Sequence, residues 1–156
     1  MSLSEKISTD ISKALKAGEK VRLETLRTVL AALKEKIVER RPQSGISEED
    51  ELAVLMQAAK KRREAADIFA QQGRKDLASL EEEELLVIQE YLPKQMTGEE
   101  LRSIVVRVIS DTGAAGSKDF GRVMPLVMKE VKGKIDGKLV QSTVKTLLEG
   151  PAYGAH

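Results

Sequence analysis

Apolar side chains recur at intervals of three and four residues in several long segments of this chain, and that spacing constrains the fold more than any other feature. The segment with the most regular pattern has its apolar residues at i, i+3, i+4, i+7 and i+8, namely Leu101, Ile104, Val105, Val108 and Ile109. This period places one apolar stripe along a helix. Strong helix formers dominate the composition and aromatic residues make up 3% of it, which disfavours an aromatic sheet that stacks RNA bases. The sequence therefore predicts an all-α protein.

Glycine, proline and capping residues divide the chain into seven predicted helices. Ser47 is the clearest predicted N-cap, because three acidic residues follow it, and Gly18, Gly73 and Gly133 are placed to end helices. The predicted segments are Leu3 to Leu15, about Lys20 to Arg40, Ser47 to Gly73, Asp76 to about Tyr91, Glu99 to Ser110, a helix capped by Ser117 and ended by Gly133, and a helix capped by Asp136 that carries Leu148. Leu15 and Leu80 are assigned to apolar stripes, and Pro125 is expected to kink the sixth helix or interrupt its hydrogen bonds.

The strongest breaks set the predicted domain limits. Arg41 to Gly45 is a turn within the first half, whereas Pro93 and the capping box that starts at Thr97 introduce a second group of helices. We predict one domain at residues 1–94, a second at 95–149, and a disordered tail at 150–156.

The composition excludes several kinds of chemistry. The chain has no cysteine and its one histidine is His156, so a thiolate nucleophile, a cysteine metal site, a Ser-His-Asp triad or a core histidine base is not available. No pair of carboxylates stands out by spacing or apolar setting. We therefore predict no catalytic residue, no metal ligand and no cofactor.

Charge and hydropathy bear on location and partners. No apolar run approaches the ~20 residues of a membrane span, and the first residues have no hydrophobic signal core, so we expect a cytoplasmic protein that is neither exported nor embedded. The formal net charge is +1, which means that any electrostatic function must be local.

The basic run Lys60 to Arg63 suggests an RNA contact, but geometry favours another interpretation. If the third and fourth helices form an antiparallel hairpin about Gly73, this run lies opposite residues 83–86, beside the acidic run Glu81 to Glu84. The sequence therefore predicts structural ion pairs here.

The stretch from Gly113 to Lys118 resembles a phosphate loop only superficially. It lacks the G-x-x-x-x-G-K-[ST] spacing and follows a helix rather than a strand. A tight turn between helices is the simpler prediction, although a helix start capped by Ser117 beside Lys118 could hold one phosphate.

The segment around the last glycine turn is the strongest binding candidate. Lys129, Lys132, Lys134 and Lys138 lie in or beside the turn from Gly133 to Gly137, where the backbone could approach a phosphate and the seventh helix begins. Two interpretations stay open, because these lysines could equally serve to solubilise a short loop.

Several motifs together resemble those of the YqeY family. They are YLP at 91–93, DFGRVM at 119–124 and KGKIDGK at 132–138, and the resemblance extends from KVRLETLR at 20–27 to LVQSTVKTLL at 139–148. The C-terminal half is similar to the tail domain of GatB, one of the subunits of the glutamyl/aspartyl-tRNA amidotransferase. The resemblance implies an N-terminal four-helix bundle followed by a small three-helix tail domain.

The resemblance also implies a function. In the amidotransferase the tail domain contacts tRNA, whereas the catalytic modules lie elsewhere and have no counterpart here. We predict a non-catalytic tRNA-binding or amidotransferase-associated module, with tRNA and an amidotransferase or another protein as partners and the oligomeric state unknown. The predicted nucleic-acid-binding residues are Lys118, Arg122, Lys129, Lys132, Lys134, Lys138, Gly133 and Gly137.

Two alternatives accompany this prediction. The family carries a label of carbon–nitrogen ligase activity with glutamine as amido-nitrogen donor, which would make the chain a participant in tRNA amidation. A protein-interaction module that uses the N-terminal bundle is the other. The family often has Gly where this chain has Pro125 and Pro where it has Lys129, so the bend of the sixth helix is expected at a different position.

Overall fold

The computed structural model describes residues 2–40 and 45–154, and all regular structure within them is helical, which confirms the predicted all-α class. The chain divides into two compact units between Pro93 and Lys94. The helices are α1 (Leu3–Ala17), α2 (Lys20–Arg40), α3 (Glu48–Gln71), α4 (Lys75–Gln89), α5 (Gly98–Thr112), a 3-10 helix (Ser117–Asp119), α6 (Phe120–Val131) and α7 (Gly137–Gly154). Of the predicted turn at Arg41 to Gly45, only Gly45 lies within the described residues.

Capping residues define several of these helix ends, as predicted. The Ser47 hydroxyl accepts from the Asp50 N–H at 3.1 Å, and the Asp50 carboxylate accepts from the Ser47 N–H at 3.3 Å, which makes a capping box. Gly18 ends α1 in the left-handed conformation, with φ 72°. These local bonds satisfy backbone groups that the helix itself leaves without partners.

The first unit buries one apolar cluster among α1 to α4. Its fully buried side chains include Ile7, Leu26, Leu33 and Ile88. Two predicted stripe members are wrong, since Leu15 is 59% exposed and Leu80 is 42% exposed. On α4 the inward face carries Ala78 and Ile88, and a residue two positions after Ala78 points about 200° away from it around the helix.

The second unit buries a cluster that is rich in valine. The α7 helix packs against α5, α6 and the 3-10 helix, and the apolar stripe predicted for α5 is confirmed by its buried members Leu101, Val105 and Val108. The side chains of the cluster that are 0% exposed are Leu101, Val105, Val123, Val127, Val131, Val140 and Val144.

The start of the sixth helix differs from the prediction. Ser117 makes no side-chain cap; instead the chain forms a 3-10 turn, in which the Asp119 carboxylate accepts from the Ala115 N–H at 2.7 Å. The α6 helix then continues through Pro125 from Phe120 to Val131. Pro125 has no N–H, so the carbonyl of Gly121, four residues earlier, receives no hydrogen bond from it. Both residues are exposed, so water can donate to this carbonyl instead.

The α7 helix extends into the segment that the sequence analysis assigned to the tail. Its described backbone is helical through Gly154. Extending an existing helix adds a backbone hydrogen bond for most residues fixed, so continuation costs little. Ala155 and His156 lie outside the described residues.

Candidate nucleic-acid interface

A tight turn between α6 and α7 carries the predicted lysines. The Lys134 N–H donates to the Val131 carbonyl at 2.9 Å, Lys132 has φ −53° and ψ 126°, and Gly133 has φ 77°. These are the features of a type II turn, whose third residue must take positive φ. Gly133 therefore serves the geometry of the turn, since only glycine takes this conformation without steric cost.

The segment before α5 holds this turn in place. The Gln95 side-chain amide donates to the Gly133 carbonyl at 3.0 Å, and the Met96 N–H donates to the Lys134 carbonyl at 2.8 Å. Ile135, which is 8% exposed, anchors the far side of the turn in the apolar cluster. The lysine side chains therefore project from a backbone that is fixed at three points.

Four lysines lie around the turn and are accessible to different degrees. Lys129, Lys132 and Lys138 are exposed and Lys134 is half-buried. Glu130 pairs with Arg107, and the hydrogen bond from Arg107 is the main cause that lowers the pKa of Glu130, with a contribution from the charge of Lys134. Since Arg107 already neutralises Glu130, the lysines give the turn a positive local charge.

The N-terminus of α7 is occupied by its own cap. The Asp136 carboxylate accepts from the Lys138 N–H at 3.2 Å, so one N–H group of the first turn is already bonded to an anion, whose charge would repel a phosphate. Gly137 begins the helix, is exposed and does not have positive φ. Any phosphate here would be held by lysine side chains, because the helix start that the sequence suggested as an anion site carries a carboxylate.

Lys118 and Arg122 form a separate group at the other end of α6. The α6 helix is twelve residues long, or about 18 Å at 1.5 Å per residue, and Arg122 lies about 10 Å along its axis from Lys129. Arg122 donates to the Thr112 carbonyl at 3.1 Å and pairs with Asp119 at 3.3 Å. The structure therefore does not bring all six cations together, and it gives Arg122 a bracing contact within the turn that follows α5.

Three further residues near these groups escaped the sequence analysis. Gln95 and Arg107 act through tertiary contacts that no local pattern marks. Lys145 on α7 lines a groove of about 240 Å³ with Ser117 and Phe120, which adds a cation near the Lys118 end. Lys145 could have been found from the expectation that α7 runs antiparallel to α6. In that arrangement the middle of α7, where Lys145 lies, comes close to the start of α6.

The basic run in the first unit forms the predicted structural pair. Arg62 and Glu84, which are eleven residues before and after Gly73, lie 3.5 Å apart between α3 and α4. Their side chains are 14% and 22% exposed. The hairpin register is thus confirmed at this pair.

The described residues offer neither a metal cluster nor a membrane span. Within residues 2–40 and 45–154, carboxylate side chains do not gather in any group of three or more that could hold a metal ion. None of the helices in those ranges combines the length and apolar character that a membrane span needs.

The fold and this surface define a class: a small all-helical protein with a rigid, lysine-bearing turn in its second unit. The chain belongs to the YqeY family, since the model of the Yqey-like protein family matches residues 4–148. No curated protein matches the chain.

Proposed function

We propose that the chain is a non-catalytic, cytoplasmic module that binds tRNA through the α6–α7 turn of its second unit. The observation that carries the proposal is the fixed type II turn that presents Lys132 and Lys134, with Lys129 and Lys138 beside it. A backbone that is already fixed adds no ordering cost of its own when its lysines meet a phosphate, and phosphate contacts supply much of the affinity for nucleic acid.

Two further points support a binding role. The resemblance of the C-terminal half to the GatB tail domain concerns the part of the amidotransferase that contacts tRNA. The sequence has no cysteine and only one histidine, at its last position, so a cysteine nucleophile is not available and a histidine base is available only at residue 156. We infer that the catalytic groups for any glutamine-dependent amidation would come from a partner amidotransferase.

Salt dependence provides the first test. The association constant for unfractionated tRNA, measured by fluorescence anisotropy, should fall steeply as salt is added. The slope of its logarithm against the logarithm of the salt concentration should be about −0.7 to −0.9 for each phosphate contact. The Lys132→Ala/Lys134→Ala double variant should weaken binding and reduce the slope by about 2, since each lysine accounts for about one contact.

A matched pair of lysines in the first unit controls for net charge. Lys16 and Lys34 are exposed helix residues, so Lys16→Ala/Lys34→Ala removes the same charge away from the turn. This control variant should keep the wild-type slope. Equal losses in the two double variants would mean that only overall charge matters, and the absence of tRNA binding at low salt would refute the proposal.

A further inference from the structure

A groove of about 260 Å³ runs between α2 and α3 in the first unit, and one of its lining residues, Arg62, also pairs with Glu84 of α4. Its floor is apolar and is formed by small and medium side chains, namely Val29, Ala32, Val54 and Ala58. Ligand pockets for drug-sized molecules are usually ~300–1,000 Å³. A groove of this size admits a slender chain but not a bulky ring system.

Cations lie at both ends of the groove. The two helices are antiparallel, with Arg40 and Asp50 paired at 3.1 Å beside the loop that joins them. In that register Lys36 lies near the loop end, whereas Lys61 and Arg62 lie at the other end. The ends are about 12 Å apart, since eight residues of α2 separate Thr28 from Lys36. The described residues that line the groove include no carboxylate.

Arg62 is the groove cation that also has a partner on α4. Its side chain is 14% exposed, and its Nε lies 3.5 Å from Glu84 but has no hydrogen-bond acceptor among the described residues. A buried guanidinium N–H without an acceptor is costly. Burial and the charge of Glu81 raise the pKa of Glu84, whereas Arg62 lowers it.

The other two cations differ in their surroundings. Lys36 pairs with Glu39 of its own helix at 3.8 Å. Lys61 is exposed and makes no ion pair with any residue in the described part of the chain. The Lys61 and Arg62 end is therefore the more favourable place for an incoming anion, and the apolar floor leads away from it.

We propose that this groove binds a small free carboxylic acid with an unbranched apolar chain. The carboxylate would pair with the exposed Lys61, beside the charge of Arg62, while the chain lies on Val29, Ala32 and Ala58 towards Lys36. The proposal concerns the first unit alone and does not depend on binding of tRNA by the second.

The binding test is a titration of the full chain, labelled with ¹⁵N, with decanoate below its micelle concentration. Saturable shifts should map to the backbone amides of residues 28–36 and 53–62. Decan-1-ol and decyltrimethylammonium have the same chain but a neutral or cationic head, so they should bind more weakly or leave the spectrum unchanged. Equal binding of decan-1-ol, or shifts scattered over both units, would overturn the proposal.

Two pairs of variants separate the head group from the chain. Lys61→Glu should weaken decanoate binding by about fivefold or more, the equivalent of an exposed ion pair of ~1 kcal/mol, whereas Lys34→Glu on the outer face of α2 should not. Ala32→Leu should block the floor, while Ala31→Leu, at the adjacent exposed position, should leave binding unchanged. Thermal melts establish that each variant is folded. Unchanged affinity in both Lys61→Glu and Ala32→Leu would refute the site.

Discussion

The Gln95 side chain donates a hydrogen bond to the Gly133 carbonyl at 3.0 Å, across 38 residues of sequence. This bond joins the segment before α5 to the turn that carries Lys132 and Lys134. Both partners lie in the second unit, so the geometry of the lysine-bearing turn depends on packing within that unit. A structural contact therefore controls how the candidate interface is presented.

Replacing Gln95 should test that dependence without removing any charge. In Gln95→Ala the partly buried Gly133 carbonyl loses its donor, and we expect a loss of about 1–3 kcal/mol in the free energy of unfolding. Affinity for tRNA should also fall, because the lysines lose a fixed backbone. Urea unfolding followed by circular dichroism gives the first quantity, and anisotropy gives the second.

Gln141 on α7 is exposed and provides the control. Gln141→Ala should change the free energy of unfolding by less than about 0.5 kcal/mol. If the two variants were equally stable, the hydrogen bond between Gln95 and Gly133 would contribute nothing measurable to the turn.

Gly133→Ala should destabilise the second unit by about 1–2 kcal/mol, because Gly133 has φ 77° and an L-residue in the left-handed region carries that cost. Gly137, four residues later, has open space around it and no positive φ. Gly137→Ala should therefore be neutral or slightly stabilising at the start of α7. The comparison is made by thermal unfolding, and a Gly133→Ala variant as stable as Gly137→Ala would show that the turn tolerates a side chain.

Stability should depend on pH through Asp10. Its carboxylate accepts from the Tyr91 hydroxyl, and that hydrogen bond is the main cause that lowers the pKa of Asp10 below its ordinary value of 3.8. A carboxyl whose pKa is lower in the folded state stabilises the fold above its unfolded pKa, and this contribution is lost as pH falls through the folded pKa. Tyr91→Phe should therefore be less stable than wild type at pH 7, and the difference should shrink below about pH 4.

Urea unfolding at several pH values measures this effect. Lys6, which lies over the Tyr91 ring at 5.5 Å and 3.5 Å from Asp10, also lowers the pKa of Asp10 and is present in both proteins, so the comparison isolates the Tyr91 hydroxyl. A stability difference that stays constant between pH 7 and pH 3 would mean that Tyr91 acts only through packing.

The features that could be predicted from sequence are those that neighbouring residues determine. The α2 limits at Lys20 and Arg40, the Ser47 cap and the apolar stripe of α5 follow from periodicity and capping. The 3-10 turn at residues 117–119 did not, because side chains within and after it bond backwards to the preceding turn: the Asp119 carboxylate accepts from the Ala115 N–H, and Arg122 donates to the Thr112 carbonyl.

The candidate interface was predictable only in part, for a similar reason. The lysines and Gly133 are visible in the sequence, whereas Gln95 and Arg107 act across the unit. Helix spacing likewise could not tell whether Leu80 or Ala78 faces the core, since both belong to apolar patterns and tertiary packing decides between them.

The pair formed by Arg62 and Glu84 should behave as a coupled unit. Arg62→Met keeps the apolar stem but leaves the partly buried Glu84 beside Glu81 without its cation, and we expect a loss of about 1–3 kcal/mol in the free energy of unfolding. The double variant Arg62→Met/Glu84→Met removes both charges and should recover most of that loss, because packed apolar side chains can replace a buried ion pair at little cost. Urea unfolding of wild type, both single variants and the double variant gives the coupling energy.

Exposed Arg27, paired with Glu24 at 3.0 Å on the surface of α2, is the control, and Arg27→Met should cost at most about 1 kcal/mol. Additive effects of the two single variants would show that Arg62 and Glu84 do not depend on each other, despite their positions on either side of Gly73.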